Sequence, residues 1–221
     1  GTCIVTTGRS KMGDGPGEAR AKAGLTTFGM RAVKEMNRLG MIIDVSHSSE
    51  KLFKDIIKIT EGPILDSHVG AEKVVNQQKN LPDWRIKTMA ESGGVIGVPF
   101  AKSFVCGDEY HMKDKKCTVK SLVKHIDYIV DLVGINHVAV GSDIDEFDLV
   151  ENMPRCWSPA PGQIEGFKFG VPKGSRIMDD LDRLDKLPLL IEALDQKGYK
   201  DHDIEKIMGG NMFRLYDEVL S

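Results

Sequence analysis

Most signatures that assign a function directly are missing from this sequence of 221 residues. It contains no GxSxG, no HExxH and no P-loop, and no GxGxxG opens any of its predicted helices. These absences exclude the familiar patterns of serine hydrolases, zincins and nucleotide-binding folds. No apolar run approaches the roughly 20 residues of a membrane span. The sequence starts at Gly1 rather than Met and shows no signal peptide.

A strong net charge and a cysteine motif are missing as well. The net charge is −3, which gives no electrostatic case for nucleic acid or an anionic membrane as the main partner. The four cysteines show neither CxxC nor zinc-finger spacing. Cys106 and Cys117 flank a polar insert and could pair in an oxidising compartment. Because a domain of this size needs no covalent staples, we expect reduced cysteines. The compartment stays undecided, with a cytoplasmic location favoured.

What the sequence does contain is a strand–helix–strand unit over residues 40–68. Two short apolar runs, Met41–Val45 and Pro63–Leu65, each end in a small polar step followed by a histidine. Between them, apolar residues recur at helical spacing behind an N-cap at Ser48 or Ser49. The length of this unit is that of a parallel crossover.

The rest of the chain continues the same alternation, which predicts an α/β fold with a parallel sheet and right-handed crossovers. The other predicted strands are 2–7, 93–100 and 137–140, and the predicted loops are 8–24, 101–117 and 147–177. The predicted helices are 28–39, 71–90 with a break near Leu81–Pro82, 119–133, 184–197, 202–208 and 211–220. We expect a single domain over residues 1–221, with a helical tail at 184–221.

The strand count bears on the architecture. The order of elements favours a (β/α)₈ barrel of the TIM type, but only about five strands are found where a closed barrel needs eight. Either the sheet is open or roughly three strands are missing from the front. The abrupt start on a strand, without Met, favours missing strands, so we expect this chain to be the C-terminal part of a barrel.

Two of the six histidines follow predicted strands, and they are the best candidates for chemistry. His47 and His68 end neighbouring parallel strands, at the edge where α/β enzymes carry their active sites. Neutral imidazole is the commonest metal ligand, although both residues could simply bond to the backbone at the strand ends. The other four histidines, in loops, on a helix or before a strand, are expected to be background: His111, His125, His137 and His202.

Asp143 occupies the same post-strand position, in VAVGSD. A carboxylate beside a metal site can take a proton from water and deliver it to a leaving amine. The competing interpretation is a turn-former or helix N-cap. Asp44 and Asp66, just before the histidines, are weaker candidates that could orient a histidine as acceptors.

These residues lie within stretches that resemble the membrane (renal) dipeptidase family of zinc metallopeptidases. The stretches span nearly the whole chain and are GLTTFGMRAVKEMNRLGMIIDVSHSS, PILDSHVGA, HVAVGSDID and LPLLIEALDQKGYKDHDIEKIMGGNMFRL. The resemblance implies a (β/α)₈ barrel with a binuclear zinc site that hydrolyses dipeptides. Family members are often dimers, so a homodimer is an expectation too. The implied partner is a small peptide substrate.

Residue by residue, the resemblance matches His47 and His68 to two histidine ligands of one zinc ion. Asp143 matches the aspartate that acts in proton transfer. The family's bridging Glu and its His-x-Asp pair have no counterpart in this chain. Two zinc ions per complete site are therefore implied for the family, and one or none for this chain alone.

Three positions depart from the family pattern. Thr6 stands about where the family often has a substrate-contacting histidine, and Glu146 stands where it usually has Gly. Lys79 replaces an arginine that clamps the substrate carboxylate, and lysine lacks arginine's bidentate fork. The expected function is zinc-dependent hydrolysis of dipeptides, with Lys79 and Thr6 at the substrate. The alternatives are an incomplete relative kept for binding and a hydrolase of another amide, such as a β-lactam or an N-acyl amino acid.

Overall fold

A computed structural model describes residues 2–3, 11–15, 23–107, 116–144 and 177–220. The strands are β1 (Thr2–Cys3), β2 (Ile43–Asp44), β3 (Leu65–Asp66), β4 (Val95–Val98) and β5 (Val138–Val140). The helices are α1 (Thr27–Arg38), α2 (Glu50–Ile57), α3 (Asp83–Glu91), α4 (Lys102–Val105), α5 (Val119–Val133), α6 (Pro188–Lys197), α7 (Asp201–Glu205) and α8 (Asn211–Leu220). None of the helices within these ranges is long and apolar enough to cross a membrane.

The five described strands form one sheet in the order β1-β2-β3-β4-β5, and every neighbouring pair is parallel. Sequential order with parallel pairing is the arrangement of a (β/α) barrel, in which each strand is added beside the one before it. The predicted strands and their parallel order are therefore confirmed. The predicted first strand is described at Thr2–Cys3 alone, and the remainder of that prediction lies outside the described residues.

Side-chain caps explain where the first two helices begin. The Thr26 hydroxyl accepts the Gly29 N–H (3.0 Å) at the start of α1, and the Ser49 hydroxyl accepts the Leu52 N–H (3.1 Å) at the start of α2. Each cap satisfies one of the N–H groups that a helix start leaves without an intrahelical partner. Of the two predicted caps of α2, Ser49 is the one used.

The apolar core holds the helices on one face of the sheet and α8 at the amino ends of the strands. In the smaller apolar cluster, Leu215 of α8 packs on four strand-region residues: Ile42, Leu65, Val95 and Ala139. The Asn211 amide donates to Ile135 O and Val138 O, at 2.8 Å each, and fixes the start of α8 there. The amino ends are thereby covered, and the histidines lie beyond the opposite, carboxyl ends.

Two predictions of secondary structure are wrong. Residues 71–81 are not helical, because Ala71 and Leu81 form a parallel bridge and the Leu81 N–H bonds to Gly70 O (2.9 Å). The segment 101–117 is not a surface loop throughout, since it contains the buried helix α4. Both segments lie after strands, where long-range contacts rather than periodicity decide the backbone.

A disulfide joins Cys106 to Cys117, so the prediction of reduced cysteines is wrong for this pair. It ties the residue after α4 to the segment that leads into α5. Asp179 reinforces the junction by accepting from Lys102 Nζ (2.5 Å) and from the Cys117 N–H (2.9 Å). Disulfides form and persist in oxidising environments, so the expected cytoplasmic location stays a prediction.

Two glycines allow the backbone directly after β3 to lie very close to β4 and to the residue after β5. A Cβ on Gly97 would lie 2.1 Å from Ser67 O, and one on Gly141 would lie 1.8 Å from the same atom. These separations leave no room for any side chain. The Ser67 carbonyl thus rests on the backbone of β4 and of the residue after β5, directly before His68.

We expect Gly97→Ala to lower the free energy of unfolding by about 1–3 kcal/mol, because the new methyl displaces the Ser67 carbonyl. Urea denaturation measures the change. Gly62→Ala is the matched control, since a Cβ there meets no atom within 4 Å. Equal stabilities of the two variants would contradict the close approach.

Reduction of the Cys106–Cys117 bond should lower the free energy of unfolding by about 2–4 kcal/mol, since it releases a loop with a sequence separation of 11. Peptide mapping of unreduced protein by mass spectrometry should find the two cysteines in one linked fragment. Free thiols at both positions in protein purified under oxidising conditions would refute the pairing.

Candidate functional site

The candidate residues follow three strands at the carboxyl edge of the sheet. His47 comes three residues after β2, His68 two residues after β3, and Asp143 three residues after β5. His47 (φ 59°) and Asp143 (φ 52°) have left-handed backbone conformations, which non-glycine residues rarely adopt. Strain of this kind persists only where surrounding contacts enforce it, and it concentrates at functional sites.

The two imidazoles converge on each other. His47 Nε2 and His68 Nε2 lie 2.7 Å apart, with ring centroids 4.7 Å apart in an edge-to-face arrangement. Zinc binds imidazole nitrogen at about 2.0–2.1 Å, so two nitrogens on one tetrahedral ion lie roughly 3.3 Å apart. A small rotation of the rings therefore suffices, and this nitrogen pair fits two of the ligands of a zinc ion.

A chain of hydroxyl groups fixes the orientation of His68. The Ser46 hydroxyl donates to Asp66 Oδ1 (2.8 Å) and lies 3.0 Å from the Ser67 hydroxyl, which lies 2.8 Å from His68 Nδ1. Since the Ser46 proton is used on Asp66, the Ser67 proton goes to Ser46, and His68 Nδ1–H donates to Ser67. This tautomer leaves a lone pair on His68 Nε2, so the proton of the 2.7 Å contact lies on His47 Nε2. Metal-binding histidines commonly donate their second N–H to such a partner.

The two aspartates before the histidines act on different atoms. Asp44 Oδ1 accepts the backbone N–H groups of Ser46 (3.0 Å) and Ser67 (3.2 Å), and so ties together the ends of β2 and β3. Asp66 is the far end of the hydroxyl chain. Its burial raises the pKa of the carboxyl to about 6, which Arg85 (3.8 Å) partly opposes. Asp66, rather than Asp44, is thus connected to a ring nitrogen, His68 Nδ1, through hydrogen bonds.

Phe104 of α4 forms an apolar wall against both imidazoles. Its ring centroid lies 6.4 Å from that of His47 and 6.2 Å from that of His68. Lys79 Nζ lies 5.4 Å from the same ring centroid. Burial, together with the charges of His68 and Lys79, lowers the pKa of His47 to about 4, and the charge of Asp44 opposes this shift. His47 is therefore neutral at neutral pH, which is the form that binds metals.

Some of the other predicted residues lie within the described ranges, and some lie outside them. Within the ranges that the structure covers, no three His, Cys, Asp or Glu side chains come together as a metal-binding set. Asp143 therefore lies at the same edge without joining the two histidines in such a set. Thr6, Glu146 and His111 lie outside the described residues. His202 is exposed, and His137 Nδ1 bonds to Gly94 O (2.9 Å) at the amino end of β4.

Sequence reasoning missed several contributors to this site. Ser46 and Ser67 could have been noticed as hydroxyl groups next to the histidines. Phe104 was missed because its segment was interpreted as a surface loop. His125 was set aside as background, yet it is fully buried and bonds to two backbone groups around the site.

A cavity of about 560 Å³ lies beside the histidine pair rather than at it. Its lining includes Ser48 and Ser49 after His47, Gln77 after His68, and Trp84 and Arg85 of α3. Neither histidine lines it. The cavity thus offers space next to the site, and Arg85 is held there by bonds to Ser48 O (3.2 Å) and Ser48 Oγ (2.9 Å).

Comparison with known sequences gives a consistent set of matches. The profile of the family described as membrane dipeptidase (peptidase family M19) matches residues 5–155. An uncharacterized protein in the pqqA 5′ region of Klebsiella pneumoniae is 31% identical over 212 residues, covering 96% of this chain and 67% of that protein. Dipeptidase tcpJ of Claviceps purpurea is 30% identical over 202 residues, covering 91% of this chain and 40% of that protein.

Solved structures confirm the fold class. A metallopeptidase from Rhodobacter sphaeroides, liganded with a phosphinate mimic of the dipeptide L-Ala-D-Ala, matches with a TM-score of 0.71 and 28% identity. The match covers 89% of this chain and 47% of the Rhodobacter chain. The fold is thus that of the TIM-barrel-type metal-dependent hydrolases, and five of its strands are described here.

The hydroxyl chain predicts the tautomer of His68 in the metal-free protein. Nitrogen-15 NMR of the imidazoles should show His68 protonated at Nδ1. Ser46→Ala breaks the chain, so the Ser67 hydroxyl becomes free to donate to Nδ1, and the Nε2-protonated form should gain population. Ser92→Ala is the control, because that hydroxyl bonds only to Met89 O at the end of α3. An Nε2-protonated His68 in the unsubstituted protein would contradict the proton order.

Proposed function

This chain belongs to the membrane dipeptidase family, and from that premise we propose that the polypeptide hydrolyses dipeptides with zinc held in part by His47 and His68. The observation that carries the proposal is the 2.7 Å convergence of the two Nε2 atoms at the carboxyl ends of β2 and β3. The chain spans 40–67% of the length of the sequence relatives it matches, and 47% of the Rhodobacter enzyme. Further metal ligands thus have room outside it.

Bound zinc would supply Lewis acidity toward the peptide carbonyl and acidify a water molecule. The chain's own residues would hold the zinc ion and keep the two imidazoles in the orientation that binds it. His68 keeps the lone pair on Nε2 because its one ring proton lies on Nδ1 and goes to Ser67, and Phe104 packs against both rings. His47 is neutral, so only its single ring proton, shared with His68 at Nε2, would have to leave or move to Nδ1 before that nitrogen could bind a metal.

Asp143 is the proposed proton carrier. It follows β5 at the same sheet edge as the histidines and has a left-handed backbone conformation (φ 52°). Its position after Gly141 supports this role, because Gly141 packs against Ser67 O, the carbonyl that precedes His68. A carboxylate there can accept a proton from water and return it to the leaving amine.

Lys79 is the proposed partner of the substrate carboxylate. Its ammonium lies over the Phe104 ring and lowers the pKa of His47, so its charge is felt at the imidazole pair. A lysine acts on a carboxylate as a point charge, without the two parallel bonds of an arginine. The second candidate substrates are therefore other amides that carry an anionic group, such as an N-acyl amino acid or a β-lactam.

The test is zinc analysis with hydrolysis assays on the complete polypeptide. L-Ala-D-Ala, simple L,L-dipeptides, an N-acyl amino acid and a β-lactam form the substrate panel. We expect zinc to co-purify and the dipeptides to be hydrolysed. His47→Ala combined with His68→Ala should lower kcat/KM by roughly a thousandfold or more. His202→Ala, which alters an exposed histidine, is the control.

Full activity of the double variant would sink the proposal. Hydrolysis of the N-acyl amino acid or the β-lactam alone would keep the metal chemistry and move the substrate to the second class. Zinc binding without hydrolysis of any panel member would point to a binding role.

A further inference from the structure

The short helix α4 ends on three carbonyl groups that side chains from elsewhere satisfy. A helix leaves its last carbonyl groups without intrahelical partners, and α4 is only four residues long. Gln77 Nε2 donates to Ser103 O (2.9 Å), Asn80 Nδ2 to Phe104 O (2.9 Å) and His125 Nε2 to Val105 O (3.1 Å). Three donors thus fix the helix that carries Phe104.

Two of these side chains also reach the turn that follows His68. Asn80 Oδ1 accepts the Gly70 N–H (3.0 Å), and His125 Nδ1 accepts the Ala71 N–H (2.9 Å). Asn80 and His125 therefore each connect the segment after His68 to the end of α4 by hydrogen bonds. Because Ala71 donates to Nδ1, the proton of His125 lies on Nε2, where the bond to Val105 O needs it.

We propose that His125, together with Asn80, is a positioning residue of the dipeptidase site. It sets the distance between the Phe104 ring of α4 and the imidazole rings of His47 and His68. The inference rests on the proposed metal-dependent function, but the geometry is independent of the metal. Phe104 lies one residue before Val105, and Gly70 and Ala71 lie two and three residues after His68. A shift of the Asn80 or His125 side chain would therefore move the Phe104 ring relative to the two metal-ligand candidates.

The burial of His125 supports a geometric role. The side chain is fully buried, and this burial lowers the pKa of its imidazole to about 4. Burying an imidazole has a free-energy cost that an apolar side chain of similar size would not have. The two directed bonds offset that cost, and they join two segments that no regular element connects.

The experiment compares His125→Phe and Asn80→Ala with Asn211→Ala in the complete polypeptide. Asn211 is a matched control, because it is buried and bonds two backbone carbonyls at the opposite end of the strands. All three variants should unfold at lower urea concentration. Only the first two should lose the proton–proton NOEs between the Phe104 ring and the rings of His47 and His68, measured without metal.

Zinc affinity is the second readout, by competition with a chromophoric chelator. His125→Phe and Asn80→Ala should weaken Zn²⁺ binding by roughly 10–100-fold, and Asn211→Ala should leave it unchanged. His125→Gln, which can still reach Val105 O, should recover part of the loss and serves if His125→Phe does not fold.

NOEs that stay unchanged in His125→Phe and His125→Gln would overturn the inference, as would equal zinc losses in the His125 and Asn211 variants. If the unsubstituted protein binds no zinc, the proposed function fails. The NOE comparison then still decides the positioning role.

Discussion

The path of residues 67–71 is the constraint on which the candidate site depends. Four of its five backbone N–H groups donate to different parts of the chain: Ser67 to Asp44 and Ser46, Val69 to Gly97 O, Gly70 to Asn80, and Ala71 to His125. The Ser67 carbonyl rests on Gly97 and Gly141. A segment with no regular structure of its own is thus held as firmly as a strand, because a buried N–H without a partner is costly. His68 lies inside this segment and inherits its fixed position.

The same constraint explains how strain is tolerated at the site. His47 keeps a left-handed backbone conformation, which costs on the order of 1–3 kcal/mol. The residues on both sides of it are tied down: Ser46 bonds to Asp44 and Asp66, and Ser48 bonds to Arg85. Phe104 closes the remaining side of the ring. The bonds of its neighbours thus hold the His47 backbone in the conformation from which its imidazole contacts His68.

Periodicity in the sequence predicted the regular elements and the edge at which the chemistry lies, since apolar spacing and helix caps are local properties. The α5 helix at 119–133 and the strand positions before His47 and His68 follow from that reasoning. The segment 71–81 and helix α4 could not be predicted in this way. Their backbone groups bond to Asn80, Gln77 and His125, and His125 is 54 residues away from the Ala71 N–H it accepts. A buried histidine on an apolar helix face gives no local sign that it bridges two distant backbone groups.

The charges around the imidazole pair are consistent with a site built for a cation. Three carboxylates, of Asp44, Asp66 and Asp143, stand at or just beyond the carboxyl ends of the strands, against the two cationic groups of Lys79 and Arg85. Arg85 is directed to Ser48 and Asp66, so its charge is largely matched within the protein. The His68 imidazole is joined to the buried Asp66 carboxylate through the hydroxyl groups of Ser46 and Ser67, which stabilises positive charge arriving at His68 Nε2. Zinc takes four ligands and the described residues offer two. In the zinc site proposed above, the other ligands would come from outside the described residues, while His47 and His68 would set the direction in which the ion is held.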